Sequence, residues 1–440
     1  MNRTIAKTSI LFLPFILLSL TLPGQKPSKE EKKIIAAVDQ QMTDAINFLE
    51  KIVNINSGTN NIAGVKQVGQ VFQHELDAMG FSSQWIDMPA EMKRAGHLLS
   101  ERKGAKGKKL LLLGHLDTVF EPQGNAAGFI RQDTIAYGPG TNDMKGGDMA
   151  LLFALKALHT ANLLDNTQIT VLYTGDEEAV GKPLSVSRGD MIAAADRNDI
   201  ALSFESATGF DFATVARRGS SGWRLIVTGK QAHSSRIFSS PVGAGAIYEA
   251  ARILHRFYDE LQEPSLTYSP GMIAGGTTVT VNDNGFEAIT SGKQNIVPNT
   301  VTVHGDLRFL SEEQKERTRA RMREIAKENL PGTTADIEFI DSYPAMSPKE
   351  GNMKLLQVYD QVSRDLGLGE VKPFDPGKRG GGDIAFIADR IDALDGLGAM
   401  GGGAHAPEEF VYLGTLDDQI KRAALLIYRL TRPETTQRKR

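Results

Sequence analysis

The sequence predicts an α/β fold, a mostly parallel helix-covered sheet interrupted by an inserted α+β unit. Three observations predict it. Continuous apolar runs at residues 110–114, 168–173 and 200–204 read as strands buried on both faces. Apolar residues at helical spacing fill the intervals, and strands alternating with helices build parallel sheets. Near residue 210 the pattern changes to longer strands with two helices, and the first pattern returns after Pro331.

The N-terminus is different in kind. Arg3 and Lys7 precede an apolar run at residues 10–22, and Gln25-Lys26-Pro27-Ser28 is polar again. This reads as a secretory signal peptide over residues 1–24, so the protein is expected to be exported, either periplasmic or secreted. The run is short for a membrane span, which needs about 20 residues. It lacks a clean small-x-small cleavage site, so an uncleaved anchor is the alternative reading. A lipid anchor on cysteine is excluded, because the chain has 0 cysteines.

Two helices follow, at 30–54 and 61–79, the second stopped by Gly80. Short strands are expected at 82–86 and 95–100, then the buried strand at 110–114, a helix at 145–163, and the buried strands at 168–173 and 200–204. The inserted unit carries strands at 212–215, 222–228, 277–281 and 300–309, with helices at 242–261 and 311–329. A helix at 353–366, a strand at 391–397 and a helix at 416–430 complete the first unit. The expected boundaries are therefore 25–210 and 331–432 for a discontinuous catalytic domain, 211–330 for the insertion, and 433–440 for a polar tail.

Composition excludes several classes. With 440 residues, 41% of them hydrophobic, the chain is large enough for two cores. Its net charge of -3 is not gathered into blocks, so no nucleic-acid partner is expected. The lack of cysteine removes thiolate metal ligands and any thiol nucleophile.

The chemistry-bearing residues sit where apolar runs end. Gly114-His115-Leu116-Asp117 closes one strand, and in an extended segment His115 and Asp117 point to the same side. Gly138-Pro139-Gly140-Thr141-Asn142-Asp143 is a glycine-rich turn leading into a helix. It lacks the spacing and the terminal Lys-Ser/Thr of a phosphate loop. Asp176-Glu177-Glu178 follows another strand; three adjacent carboxylates repel one another unless a cation compensates. Glu205 ends a third strand, and His405 lies in a glycine loop. Two histidines with an excess of carboxylates suit two borderline metal ions such as Zn²⁺. His74, His97, His159, His255 and His304 have no carboxylates in register and read as structural.

The ordered series GHLDTV, YGPGTNDMKGG, TGDEE, SFES, GKQAHSS, NIVPNT…DLRF and GGGAHAPEE resembles the two-zinc metallopeptidase family of glutamate carboxypeptidases, aminoacylases and succinyl-diaminopimelate desuccinylases. The likeness spans about residues 30–430 and is nearest to the glutamate carboxypeptidase-like members. It implies a zinc exopeptidase-like catalytic domain with an inserted lid and dimerisation domain. It implies two zinc ions, with cobalt or manganese as substitutes, held by His115, Asp143, Glu178, Glu205 and His405. Asp143 would bridge them and be followed by a cis peptide, Asp117 would support His115, and Glu177 would be the general base acting on a metal-bridged water. On the lid, His233 would stabilise the oxyanion in the partner subunit of a homodimer. Asn295 and Arg308 would bind the substrate carboxylate, and Gly381 would line the substrate site. The implied activity is hydrolysis of an amide bond next to a free carboxylate, most simply by a carboxypeptidase. An N-acyl-amino-acid amidohydrolase or a dipeptidase would share the same ligands. A lid-less aminopeptidase fits poorly with the GKQAHSS insertion, and a non-catalytic binding protein would have no use for Glu177.

Overall fold

The structure, a computed structural model, describes residues 24–124, 127–282, 285 and 287–433. The signal peptide expected at 1–24 and the tail at 433–440 lie outside the described residues, apart from Gly24 and Pro433. Among the described residues no helix is long and apolar enough to cross a membrane.

The central sheet has six strands in the order Ser82–Ile86, His97–Arg102, Thr167–Thr174, Lys106–His115, Ile200–Ser203 and Asp392–Leu394. The last four are mutually parallel, and the first two run antiparallel at one edge. Leu110 and Leu112 join the core under the helices Lys29–Val53, Lys145–Thr160 and Leu413–Leu430. Leu111 and Leu113 join a second core on the opposite face, with Met191, Ile384 and Ile387. That alternation is the period-two geometry of a strand covered on both sides, and it explains the unbroken leucine run. The first helix starts with a capping box, in which Ser28 accepts from the Glu31 N–H and Glu31 accepts from the Ser28 N–H.

The insertion is a four-stranded antiparallel sheet in the order Thr267–Gly276, Thr300–Phe309, Gly219–Gly229 and Thr333–Asp341. Helices Ala246–Glu260 and Glu312–Lys327 pack over it, burying Ile253, Phe257, Met322 and Ile325 against Leu225, Val301 and Val303. The expected limits of 211–330 need correction. Phe212–Ala213 pairs with Lys372–Pro373, and Val215 and Ala216 pack in the catalytic core. Thr333–Asp341 pairs along Gly219–Gly229, so the inserted sheet ends at Asp341. That strand shows burial on alternate residues only, and its acidic residues mask the apolar pattern. Thr267–Gly276 was also hidden. It is an edge strand containing Pro270, Gly271, Gly275 and Gly276, with an irregularity between Pro270 and Met272. The strand expected at 277–281 forms a separate hairpin, Thr278–Val281 with Ala288–Ser291.

Candidate active site

Three neighbouring parallel strands deliver the site to one edge of the sheet. His115 is the last residue of its strand, Glu177 and Glu178 follow Thr174, and Glu205 follows Ser203. Functional side chains collect at the carboxyl ends of such strands because the loops that follow are free to vary while the sheet holds their roots. Asp143 comes from the glycine turn before the Lys145–Thr160 helix, and its bond to Met144 is cis. His405 enters from the opposite loop with φ +66°.

Asp143 lies between the two imidazoles. His115 Nε2 is 3.2 Å from Asp143 Oδ1 and 3.6 Å from Glu205 Oε1. His405 Nε2 is 3.3 Å from Asp143 Oδ2 and 3.1 Å from Glu178 Oε2. Ligand atoms of His115, Glu177 and Glu205 all lie within 4.8 Å of one another, as do those of His115, Asp143 and Glu178. Asp143, Glu177, Glu178, Glu205 and His405 face a cavity of about 290 Å³, also lined by Gly381.

The surrounding hydrogen bonds fix these groups. Nδ1 of His115 is 3.0 Å from the Asp117 carbonyl and 3.5 Å from its carboxylate. With Nδ1–H donating to that carbonyl, Nε2 turns a lone pair toward Asp143 and Glu205, the form a metal requires. The Asp117 carboxylate accepts from the N–H groups of Glu177 and Glu178 at 3.0 and 3.1 Å, and from the Thr59 hydroxyl at 2.6 Å. It therefore holds the Glu177-Glu178 segment as much as the histidine. Asp176, the first of the three adjacent acids, is not in the cavity. It pairs at 2.6 Å with the buried Arg188, which also grips Asp383 at 2.7 Å. Thus Asp383, which follows the glycine loop 380–382, is tied into the wall behind the site. His97 is buried and structural, with Nε2 2.7 Å from the Ser187 carbonyl.

Other supporting residues escaped the sequence reading. The Glu409 carboxylate accepts from the N–H groups of Gly140, Asn142 and Asp143 at 3.2, 2.8 and 2.8 Å, and so holds the turn that presents Asp143. The Tyr343 hydroxyl donates to the Glu177 carbonyl at 2.6 Å. Arg217, Lys378 and Arg379 line the cavity beside the acids. The only signal any of these gave was the second Glu of the Glu408-Glu409 pair and the arginine preceding Gly380-Gly381-Gly382.

The electrostatics show crowded negative charge. Burial pushes the half-buried Glu177 carboxyl well above the usual carboxylate range, and Glu205, Asp383 and Glu178 add to the rise against the pull of His115. Burial also raises Glu178, with His405 opposing. His405 is pushed up to about 10 by hydrogen bonds to Asp143 and Glu178. Burial alone would depress His115, but Asp117, Asp143 and Glu205 carry it well above its ordinary value. Burial raises Asp143, yet the two histidines outweigh it and hold the carboxyl low. Among the described residues, one Glu178 oxygen is buried without a hydrogen-bond partner. An oxygen- and imidazole-rich set of this kind fits a pair of divalent cations.

The lid residues are placed differently. His233 is exposed, with Nδ1 2.9 Å from the Ser235 hydroxyl, and the Ser234 N–H donates to the Asn295 carbonyl at 2.8 Å. These two therefore sit together. Arg308 lies opposite Ser220 at the other end of a strand whose first residue, Thr300, pairs with Thr228. At the usual rise per residue that separation is roughly 25 Å. The Arg308 Nε is 2.8 Å from Asp306. None of His233, Asn295 and Arg308 lines the cavity of its own chain.

A parallel sheet offering carboxylates and imidazoles at its carboxyl edge, with an inserted lid, defines the protein as a metal-dependent hydrolase. The chain belongs to the peptidase family M20/M25/M40, whose model matches residues 111–432. It is 28% identical over 410 residues to carboxypeptidase G2 of Pseudomonas sp. (strain RS-16), covering 91% of this chain and 92% of that protein. It is 26% identical over 320 residues to succinyl-diaminopimelate desuccinylase of Cupriavidus pinatubonensis, covering 67% of this chain and 76% of that protein. In fold it matches aminopeptidase PepT from Bacillus cereus with a TM-score of 0.70 at 20% identity, over 88% of this chain and 98% of that chain.

Proposed function

We propose that the protein is a metallocarboxypeptidase that hydrolyses an amide bond next to a free carboxylate. The observation that carries this is Glu177. Its carboxyl faces the cavity, with ligand atoms of His115 and Glu205 within 4.8 Å. His115, Asp143, Glu178, Glu205 and His405 would hold two metal ions, zinc in the first instance, with cobalt or manganese as substitutes. Such a pair would supply Lewis acidity at the attacking water and at the carbonyl oxygen.

Glu177 takes the proton of the attacking water and returns it to the departing nitrogen, a shuttle favoured by a carboxyl whose proton affinity is raised by burial. Asp117 fixes the Glu177 backbone for that transfer. His233 donates to the oxyanion of a partner subunit, since it does not reach the cavity of its own chain. The lid thus makes the working unit a homodimer. Asn295 and Arg308, at opposite ends of the lid sheet, would meet one substrate carboxylate only if they come from different subunits, and Gly381 lines the cavity. The signal-peptide reading of residues 1–24 supports export, to the periplasm or beyond.

The likeness to the desuccinylase favours a second reading, an N-acyl-amino-acid amidohydrolase using the same groups. The test is the Glu177→Ala protein assayed on dipeptides and N-acyl amino acids. Its kcat is expected to fall by about 10⁴-fold with the metal content unchanged. Full activity in a metal-loaded Glu177→Ala protein would remove the assignment.

A further inference from the structure

Glu177 and Glu178 share one peptide unit, and that unit is clamped from both sides. Its N–H, belonging to Glu178, donates to Asp117 Oδ2 at 3.1 Å, and its C=O, belonging to Glu177, accepts from the Tyr343 hydroxyl at 2.6 Å. In a trans peptide these two groups point to opposite sides, so Asp117 and Tyr343 hold the unit from opposite directions. Asp117 follows a strand of the catalytic sheet. Tyr343 lies in the segment that returns from the lid, two residues after the strand Thr333–Asp341 ends. The chain enters the lid through residues 217–219 and leaves it through 342–346, and these two crossings run side by side. Arg217 and Met346 exchange backbone hydrogen bonds at 2.9 and 3.0 Å. The Ser220 N–H donates to the Tyr343 carbonyl at 2.8 Å, and the Tyr343 N–H donates to the Ser220 hydroxyl at 3.3 Å. Ser220 belongs to the lid strand Gly219–Gly229. The backbone of Tyr343 is therefore fastened to the lid, and its hydroxyl to the catalytic domain.

The side chain is led to Glu177 along a narrow path. Its ring centroid is 5.3 Å from that of Phe386, whose other contact is the Arg188 guanidinium, 5.3 Å from the same ring. A Cβ added at Gly381 would lie 2.8 Å from the Tyr343 Cβ, so a glycine is required where that loop passes the tyrosine. Burial pushes the hydroxyl far above its ordinary value, with Glu177 and Asp383 adding to the rise, so it stays protonated and remains a donor. Beside the ring, a cavity of about 260 Å³ stands between Phe309 and Lys315 of the lid and Leu184 and Ile192 of the catalytic domain. Close packing fixes orientation, and here the two domains meet without it. The cavity also leaves the ring room to follow the crossing.

We propose that Tyr343 is a positioning residue that couples the orientation of the lid to Glu177. A shift of the lid moves the crossing, the hydroxyl moves with it, and the Glu177-Glu178 peptide tilts about its anchor on Asp117. The Glu177 carboxyl is then aligned for proton transfer only in the lid orientation that keeps the Tyr343 bond. This rests on the reading of Glu177 as the general base and adds a control on it from within the same chain.

The experiment uses Tyr343→Phe in the full chain, which keeps the ring and removes the hydroxyl. On the dipeptide or N-acyl amino acid that wild type hydrolyses fastest, kcat should fall by about 10–100-fold with KM within about twofold, the effect of a small misplacement at a reacting group. Metal content should stay at the wild-type level. In the Glu177→Ala background the same substitution should change kcat by less than about twofold, because it acts only through Glu177. Ser220→Ala releases the Tyr343 N–H from the lid strand. It should lower kcat by about threefold, with no further effect in Tyr343→Phe, and it covers the case in which Tyr343→Phe fails to fold. Amide exchange of the segment containing Glu177 and Glu178 reads the coupling without turnover. It should quicken by about tenfold in Tyr343→Phe and by less in Ser220→Ala, with or without metal. Unchanged exchange in both variants, or an unchanged kcat in both, would show that Asp117 alone holds the peptide and would overturn the coupling. So would an equal loss of kcat in the Glu177→Ala background, or a loss of metal that accounts for the lost activity. If wild type hydrolyses none of these substrates, or Glu177→Ala stays fully active, the general-base reading fails, while the exchange measurement still decides the coupling.

Discussion

In the catalytic domain, His115 and Glu205 are buried, and each imidazole of the site lies within 3.3 Å of Asp143. In the lid, His233 and Asn295 are exposed and stand at the far end of the sheet from Arg308. The first set is a candidate metal site, held from behind by backbone and ion-pair contacts. The second lines no part of the cavity of its own chain. On the proposed function one chain would supply metal binding and the proton shuttle, and its lid would act on the cavity of another copy.

The comparison can be broken first at the wall behind the site. Arg188→Met leaves Asp176 and Asp383 buried without a counter-charge, and should cost about 3–5 kcal/mol of stability in urea unfolding. A loss under about 1 kcal/mol would mean that the ion triad is not what locks the site.

A smaller effect is expected at the Asp143 turn. Glu409→Gln keeps an acceptor but loses the charge shared by three N–H groups. Metal affinity, measured by chelator competition, should weaken by about 10–100-fold. If it is unchanged, the turn holds itself and the catalytic domain is less interlocked than described.

The smallest effect lies far from both regions. Burial tends to raise the Glu31 carboxyl, but the Ser28 N–H and Arg429 outweigh it and hold it below its ordinary value. The stability this provides is present above the unfolded pKa and is lost as pH falls below about 4.5 through the folded value. Glu31→Gln should cost about 1 kcal/mol at pH 7 and flatten that acid limb, with activity per folded molecule unchanged. A parallel loss of kcat would tie the first helix to the site.

The parts legible in the sequence were those whose signal is local. A leucine run followed by His-x-Asp, or a strand followed by adjacent acids, marks a strand end within a few residues. Glu409 and Tyr343 escaped because their partners are 266 and 166 residues away, and Arg188 because one of its two carboxylates, Asp383, is 195 residues away. The lid strands Thr267–Gly276 and Thr333–Asp341 escaped for another reason. Both are edge strands, where proline, glycine and acids are tolerated and the alternating pattern is diluted. The roles of the lid residues came from resemblance alone, since an exposed histidine near serines carries no chemistry by itself.

The central claim is that a cavity complete in metal ligands is completed for catalysis by the lid of another copy. The direct measurement is complementation between Glu177→Ala and His233→Ala chains, each nearly inactive alone. When the two are co-expressed, half of the dimers are mixed by random pairing. Each mixed dimer holds one site with Glu177 from one chain and His233 from the other. The account predicts that about a quarter of wild-type activity returns. Activity no higher than the average of the two parent variants, in a preparation shown to contain mixed dimers, would contradict it.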